Sequence, residues 1–249
     1  MPRPPKALIL AAGLGSRLKH KTEDRPKALT TVNGAPILVY QLNSLAAHGI
    51  DQIGIVLGHQ GDKIIPFVRE HFPRLHVHYV WNRDYAATNS SYSFWLARDW
   101  VQGETYLHLN CDILFSDSLL RRLLESPSEN TIAVRKDVPL GDGMENVVLD
   151  GERIVRMSLI HTPEASAKAF GLAKLGPSST CFIAGRLESY LKKGDRNQNY
   201  YGMIREAVHE IGYHALDAAS DLLMEVNTLE DLDRAESFLR EHPLRVASS

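Results

Sequence analysis

The chain has 249 residues, 44% of them hydrophobic and 23% charged, and a formal net charge of −2. This is ordinary globular composition with enough apolar material for a sizeable core, and the near-neutral balance argues against a general nucleic-acid-coating role. Cys111 and Cys181 make neither a disulfide framework nor a metal-knuckle spacing, and read as reduced thiols in or near the core of a cytosolic protein.

The opening MPRPPKALILAAG holds only a short apolar run, cut at once by glycine. It is too short to span a bilayer and lacks a signal-peptide layout, so a soluble cytoplasmic protein with no membrane partner is expected. Arg3, Lys6, Arg17, Lys19, Lys21, Arg25 and Lys27 crowd the start of the chain, which suggests either a solvated basic surface or an anion site.

In chain order, KALILA at 6–11 stops at glycines as a buried strand does. Residues 37–48 read as a helix, with Pro36 at its start and Gly49 just past its end. Strands follow at 52–57, 75–81, 105–109 and 131–135, and helices at 63–72, 91–98 and 118–125. This alternation predicts an α/β fold with a doubly wound, mostly parallel sheet and helices on both faces. Such sheets bind ligands at the carboxyl ends of their strands, where the glycine loop and Asp112 would both fall.

From 137 to 184 the pattern changes to short strands and turns, with a hairpin around Asp150-Gly151. This span is expected to be a small β-rich acceptor-side insertion on a nucleotide-binding core of residues 1–136, within a single domain over 1–249. Residues 185–240 complete the domain with helices at 187–193 and 199–210, two short strands and a last helix. Thr228 and Asp231 open that last helix with a capping-box pattern. Residues 241–249 read as a tail.

The central motif is Leu10-Ala11-Ala12-Gly13-Leu14-Gly15-Ser16-Arg17-Leu18, followed by Arg25-Pro26-Lys27-Ala28-Leu29. Small residues let backbone N–H groups approach phosphate oxygens. Arg17 offers a fork of donors and Lys27 a compact charge. The third glycine of a dinucleotide fingerprint is missing, and so is the Gly-Lys-Ser/Thr of a P-loop.

What remains, L-A-A-G-x-G-x-R-L and then P-K-x-L, closely resembles the signature of the sugar-nucleotide-type nucleotidyltransferases. The resemblance implies that the loop from Leu10 to Gly15 wraps a nucleoside triphosphate, with Arg17 on its β- and γ-phosphates. Lys27 would stand near the α-phosphate and the acceptor's phosphate. A carboxylate after a strand can cap a turn or hold Mg²⁺, and the resemblance assigns Asp112 to Mg²⁺. The family's late ligand is commonly an Asp in a segment like E-I-D-T-x-E-D-L. Here Glu225-Val226-Asn227-Thr228 puts an asparagine there, so Asn227 is expected as the second ligand with Glu225 in reserve.

The segment Asn82 to Ser93, N-x-x-Y-x-x-T-N-x-x-Y-S, looks like that of the phosphocholine and 2-aminoethylphosphonate cytidylyltransferases. By that resemblance Thr88, Asn89 and Ser90 would lie near the cytosine and ribose of CTP, and they also suit a helix N-cap. His59 reads as structural, with a place beside the nucleotide as the alternative. The acceptor would be a small phosphate or phosphonate, with Glu145, Lys174 and Tyr200 as candidate contacts. A choline head needs aromatic faces, yet Trp81, Trp95 and Trp100 all lie in the nucleotide half. The rival readings are a sugar-1-phosphate nucleotidyltransferase using UTP, dTTP or GTP, and a non-catalytic nucleotide-binding module.

Overall fold

The computed structural model describes residues 4–244. Arg3, placed in the basic group above, and residues 245–249 of the expected tail lie outside them. The apolar run forms strand β1 (Lys6–Ala11). A short hairpin, β2 (Thr31–Val32) and β3 (Ala35–Pro36), leads into helix α1 (Ile37–Ala47). Then come β4 (Gln52–Leu57), α2 (Ile64–His71), β5 (His76–Trp81), α3 (Ser90–Val101) and β6 (Tyr106–Asn110). The expected alternation is therefore present, with ends moved by up to three residues.

The chain continues through β7 (Ile113–Phe115), α4 (Asp117–Glu125) and β8 (Thr131–Arg135). The hairpin expected at Asp150-Gly151 is β9 (Asn146–Asp150) and β10 (Arg153–Ser158), with Gly151 at φ +61°. After it run β11 (Ala167–Leu175), α5 (Pro177–Lys192) and α6 (Tyr200–Ala207). Strands β12 (Tyr213–Asp217) and β13 (Leu223–Glu225) precede the last helix, α7 (Leu229–Glu241).

The main sheet has nine strands in the order β5-β4-β1-β6-β11-β8-β12-β10-β9. The first four run parallel, β11 runs antiparallel to both β6 and β8, and the far edge is the β9–β10 hairpin. The span 137–184 is thus not all set apart. Its strand β11 lies in the middle of the sheet, and α5 begins inside it at Pro177. Residues 137–166 form the outlying loops and hairpin, because the nine-residue run AKAFGLAKL is apolar enough to be buried between two strands.

Both faces of the parallel half are covered. Alternate residues of β1 point to opposite sides. Ala7, Ile9 and Ala11 join a core with Leu38 and Leu42 of α1, Ile64 of α2 and Leu119 of α4. Leu8 and Leu10 join a second core with Phe94 of α3, Ile183 of α5 and Met203 of α6. A third core gathers Leu18, Val32, Ile37 and Tyr40 against Leu232, Ala235 and Leu239 of α7. Among the described residues no helix is long and apolar enough to cross a membrane. Cys111 is buried, but Cys181 is exposed on α5, so the expectation of two thiols in or near the core holds for one.

Candidate active site

Strands β1 and β6 are neighbours, and the chain leaves them in opposite directions around the sheet, from β1 to β4 on one side and from β6 to β8 on the other. Their carboxyl ends therefore flank a crevice of the kind that binds ligands in open α/β sheets. The cleft there has a volume of about 1180 Å³ and is lined by the glycine loop, Lys27, Asn110, Asp112, the start of α3, Glu225 and Asn227.

The loop is fixed from beneath. Gly58 follows β4, and a Cβ on it would stand 2.4 Å from the Ala12 carbonyl oxygen. Only glycine permits that approach, and it lets the His59 N–H donate to the same carbonyl at 3.1 Å. Gly15 has φ +67°, and a Cβ there would come within 3.1 Å of Lys27 Cβ and Thr22 Cγ2. After it the chain turns into 3₁₀ helix over Ser16–Thr22, which brings Arg17 back over the cleft.

Pro26 is extended (φ −68°, ψ 151°) and delivers Lys27 at the start of a short 3₁₀ turn. Lys27 Nζ donates to Asp112 Oδ2 at 2.5 Å and to Asn227 Oδ1 at 2.8 Å. Arg17 Nη2 donates to the same Asn227 oxygen at 2.7 Å. Residues 210 apart in the chain meet here because β13 pairs antiparallel with β7, so the Val226 N–H reaches the Asp112 carbonyl at 2.8 Å. The capping box of α7 then holds Asn227 in place. Asp231 accepts from the Asn227 and Thr228 N–H groups at 3.0 and 2.9 Å. Asp112 Oδ1 is buried and has no hydrogen-bond partner among the described residues.

Of the loop residues, Leu10, Ala12, Gly13, Leu14 and Gly15 line the cleft, whereas Ala11 turns its side chain into the core beneath the sheet. Arg17 and Lys27 line it too, but Lys6, Lys19, Lys21 and Arg25 do not. Lys6 pairs with Glu104 and Arg25 with its neighbour Asp24. Thr88, Asn89 and Ser90 form the wall at the head of α3. Asn89 caps that helix by accepting from the Ser90 N–H at 2.8 Å, and Ser90 Oγ accepts from the Tyr200 N–H at 2.8 Å. His59 is not among the lining residues; its ring packs near Tyr85.

Two acceptor-side candidates are corrected. Lys174 lies at the far end of the strands from the cleft, because β11 is antiparallel to β6 and its end pairs with the start of β6. Its ammonium donates to the Ser126 carbonyl, and burial lowers its pKa. The start of β11, with Lys168, is what reaches the cleft. Tyr200 borders the cleft but is 1% exposed, with its hydroxyl 2.6 Å from that of Tyr106 and its ring stacked on His108. It belongs to the floor rather than to the binding surface. Glu145 does line the cleft, and both its oxygens accept from Arg205 at 2.6 Å.

Lys168, Arg205 and Arg234 are nearby cations that the sequence reading did not single out. Lys168 pairs with Glu225 at 2.8 Å, and burial raises the Glu225 carboxyl above its usual range. The reversed direction of β11 would have pointed to Lys168, but that direction becomes known only from the pairing.

The geometry agrees with what the chain resembles. The model of the family described as the MobA-like NTP transferase domain matches residues 7–246. A CMP-5'-(3-aminopropyl)phosphonate synthase of Streptomyces rubellomurinus is 35% identical over 59% of this chain, which spans 24% of that longer protein. A choline-phosphate cytidylyltransferase of Streptococcus pneumoniae is 25% identical over 94% of this chain and 98% of its own length. The fold is shared with the inositol-1-phosphate CTP transferase of T. maritima, with a TM-score of 0.81 at 21% identity over 99% of both chains. A family match over nearly the whole chain, with the glycine loop, Lys27 and Asp112 converging at the switch of strand order, places this chain in the MobA-like NTP transferase family, as a nucleotidyltransferase.

Proposed function

We propose that the cleft binds CTP and Mg²⁺ and transfers the cytidylyl group to a small phosphate or phosphonate acceptor. The observation that carries this is the position of Lys27, held at the mouth of the glycine loop between Asp112 and Asn227. A second support is that the relatives include one named as a CMP-5'-(3-aminopropyl)phosphonate synthase and one named as a choline-phosphate cytidylyltransferase.

Residues fit a magnesium ion at this point. Asp112 has a buried oxygen without a partner among the described residues, and Asn227 turns its amide oxygen toward two cationic groups. Mg²⁺ takes a few hard oxygens and completes its shell with water and phosphate, so one carboxylate and one amide suffice when a triphosphate is present. Glu225 is engaged with Lys168 and stays in reserve. Among the described residues no three His, Cys, Asp or Glu side chains cluster as a metal cage. When bound, the ion would neutralise charge on the triphosphate.

In the proposed reaction an acceptor oxygen attacks the α-phosphorus of CTP in line. The bond to the β-phosphate oxygen breaks and pyrophosphate leaves with its electron pair. Arg17 would steady the departing pyrophosphate, while Lys27 draws the attacking and attacked phosphates together. Loop N–H groups would cradle the triphosphate, and Thr88, Asn89 and Ser90 would face the base and ribose.

Equilibrium titration with CTP, UTP, dTTP, GTP and ATP in Mg²⁺ tests the base assignment. CTP is expected to bind at least about tenfold tighter than the others, a difference of about 1.4 kcal/mol. Equal or tighter binding of UTP, dTTP or GTP would move the chain to the sugar-1-phosphate class.

A further inference from the structure

At the acceptor end of the cleft, Lys168 Nζ lies 4.2 Å from the centroid of the Phe170 ring and 2.8 Å from Glu225. An aromatic face beside a carboxylate is what recognises an organic cation. Here the chain's own ammonium occupies it. The tryptophans are covered in the same way, with Arg83 over Trp81 at 4.9 Å, Arg98 over Trp95 at 3.7 Å and Lys6 over Trp100 at 5.1 Å. No tryptophan lines the cleft. Tyr200 and Tyr201 do, but they are only 1% and 4% exposed, and the Tyr201 hydroxyl donates to the Phe170 carbonyl; Phe170 itself is 5% exposed, with the Lys168 ammonium over its ring.

A trimethylammonium head has no N–H donor and depends on open aromatic faces. A primary ammonium has three donors and depends on acceptors. Two carboxylates, Glu145 and Glu225, line this end of the cleft. Each is met by one cationic side chain, Arg205 or Lys168, and a carboxylate offers about four acceptor positions, so room remains for further N–H donors. Both kinds of head would meet the charge of Lys168, and only the primary one would offset it by hydrogen bonds.

We propose that Lys168 is a specificity-determining residue: it fills the aromatic seat at Phe170 and so selects acceptors with a primary ammonium head over those with a trimethylammonium head. This rests on the transfer reading above. Two matched pairs test it, phosphoethanolamine with phosphocholine, and 2-aminoethylphosphonate with its N,N,N-trimethyl derivative. Each is assayed with CTP and Mg²⁺ for kcat/KM, and each is titrated calorimetrically. The proteins compared are wild type, Lys168→Ala and Lys168→Arg, with melting curves to confirm folding.

Wild type is expected to favour the primary member of each pair by about tenfold or more, the scale of a lost cation–π contact with its hydrogen bonds. Lys168→Ala, which empties the seat, should shrink that ratio, chiefly by lowering KM for the trimethyl compounds, and Lys168→Arg should keep it. Equal or better use of the trimethyl compounds by wild type overturns the proposal whether or not the variants fold. So does an unchanged ratio in folded Lys168→Ala. If nothing is turned over but the titrations keep the same order, the transfer reading fails and the head selection stands. If the titrations show neither head bound, or both bound alike, the head selection fails.

Discussion

Lys27 is the side chain on which the site's geometry converges. Its ammonium is the shared donor to Asp112 and Asn227, and it is mostly shielded from water. Lys27→Ala removes the charge that would face the attacked phosphate, so turnover should fall by about 10² to 10³, as for other positioned electrostatic groups. Circular dichroism should show the fold retained at a cost in stability, because Asp112 loses a largely shielded ionic partner while the sheet that carries it is unchanged. Gly15 is a different kind of residue, required for its backbone. At φ +67° a side chain is strained by about 1–2 kcal/mol, and its Cβ would press on Lys27 and Thr22. Gly15→Ala is thus expected to lower both urea stability and activity. His108 carries a pH signature. Burial, first of all, lowers its pKa to about 4, so the fold holds it neutral beneath the stacked ring of Tyr200. An unfolded chain takes up that proton near pH 6.5, so the stabilisation is full above that pH and is lost as pH falls toward 4. The loss amounts to about 3 kcal/mol. Urea unfolding of wild type between pH 7 and 4.5 should show that slope, and His108→Gln should show less of it.

At the scale of elements, the clearest signals in the sequence were those with a local cause. The apolar run of β1 ends at the glycines, Asn89 caps α3, and the Thr228–Asp231 box opens α7. Each works within a few residues of itself, so reading along the chain finds it. The box also serves the site, because Asp231 ties down the Asn227 backbone. Thr228→Ala should cost about 1 kcal/mol in urea unfolding, the usual value of a lost cap. It should also weaken nucleotide binding, and a stability loss with unchanged CTP affinity would show that the cap does not position Asn227. Strand β11 was not legible in this way. Its residues looked like part of an outlying region because nothing local says that it returns to the centre of the sheet antiparallel to β6. That reversal is why Lys174, near its end, was misplaced and Lys168, near its start, was passed over.

For the whole molecule, the parallel order β5-β4-β1-β6 sets the glycine loop and Asp112 side by side, and this much followed from strand–helix alternation. The position of Asn227 followed only from the resemblance, since the β7–β13 pairing joins stretches of chain more than a hundred residues apart. Tyr200 was misjudged because a tyrosine near a cleft looks like a contact until its neighbours are known, here Tyr106 and His108 in the core. The most direct measurement of the central claim is pyrophosphate release by the whole chain with CTP, Mg²⁺ and 2-aminoethylphosphonate, beside the same mixture with Asp112→Ala. The account predicts release by wild type that depends on both CTP and the acceptor, and a loss of about 10² or more in a folded Asp112→Ala. Near-normal release by that folded variant, or release with a sugar 1-phosphate and UTP in place of the named substrates, would contradict it.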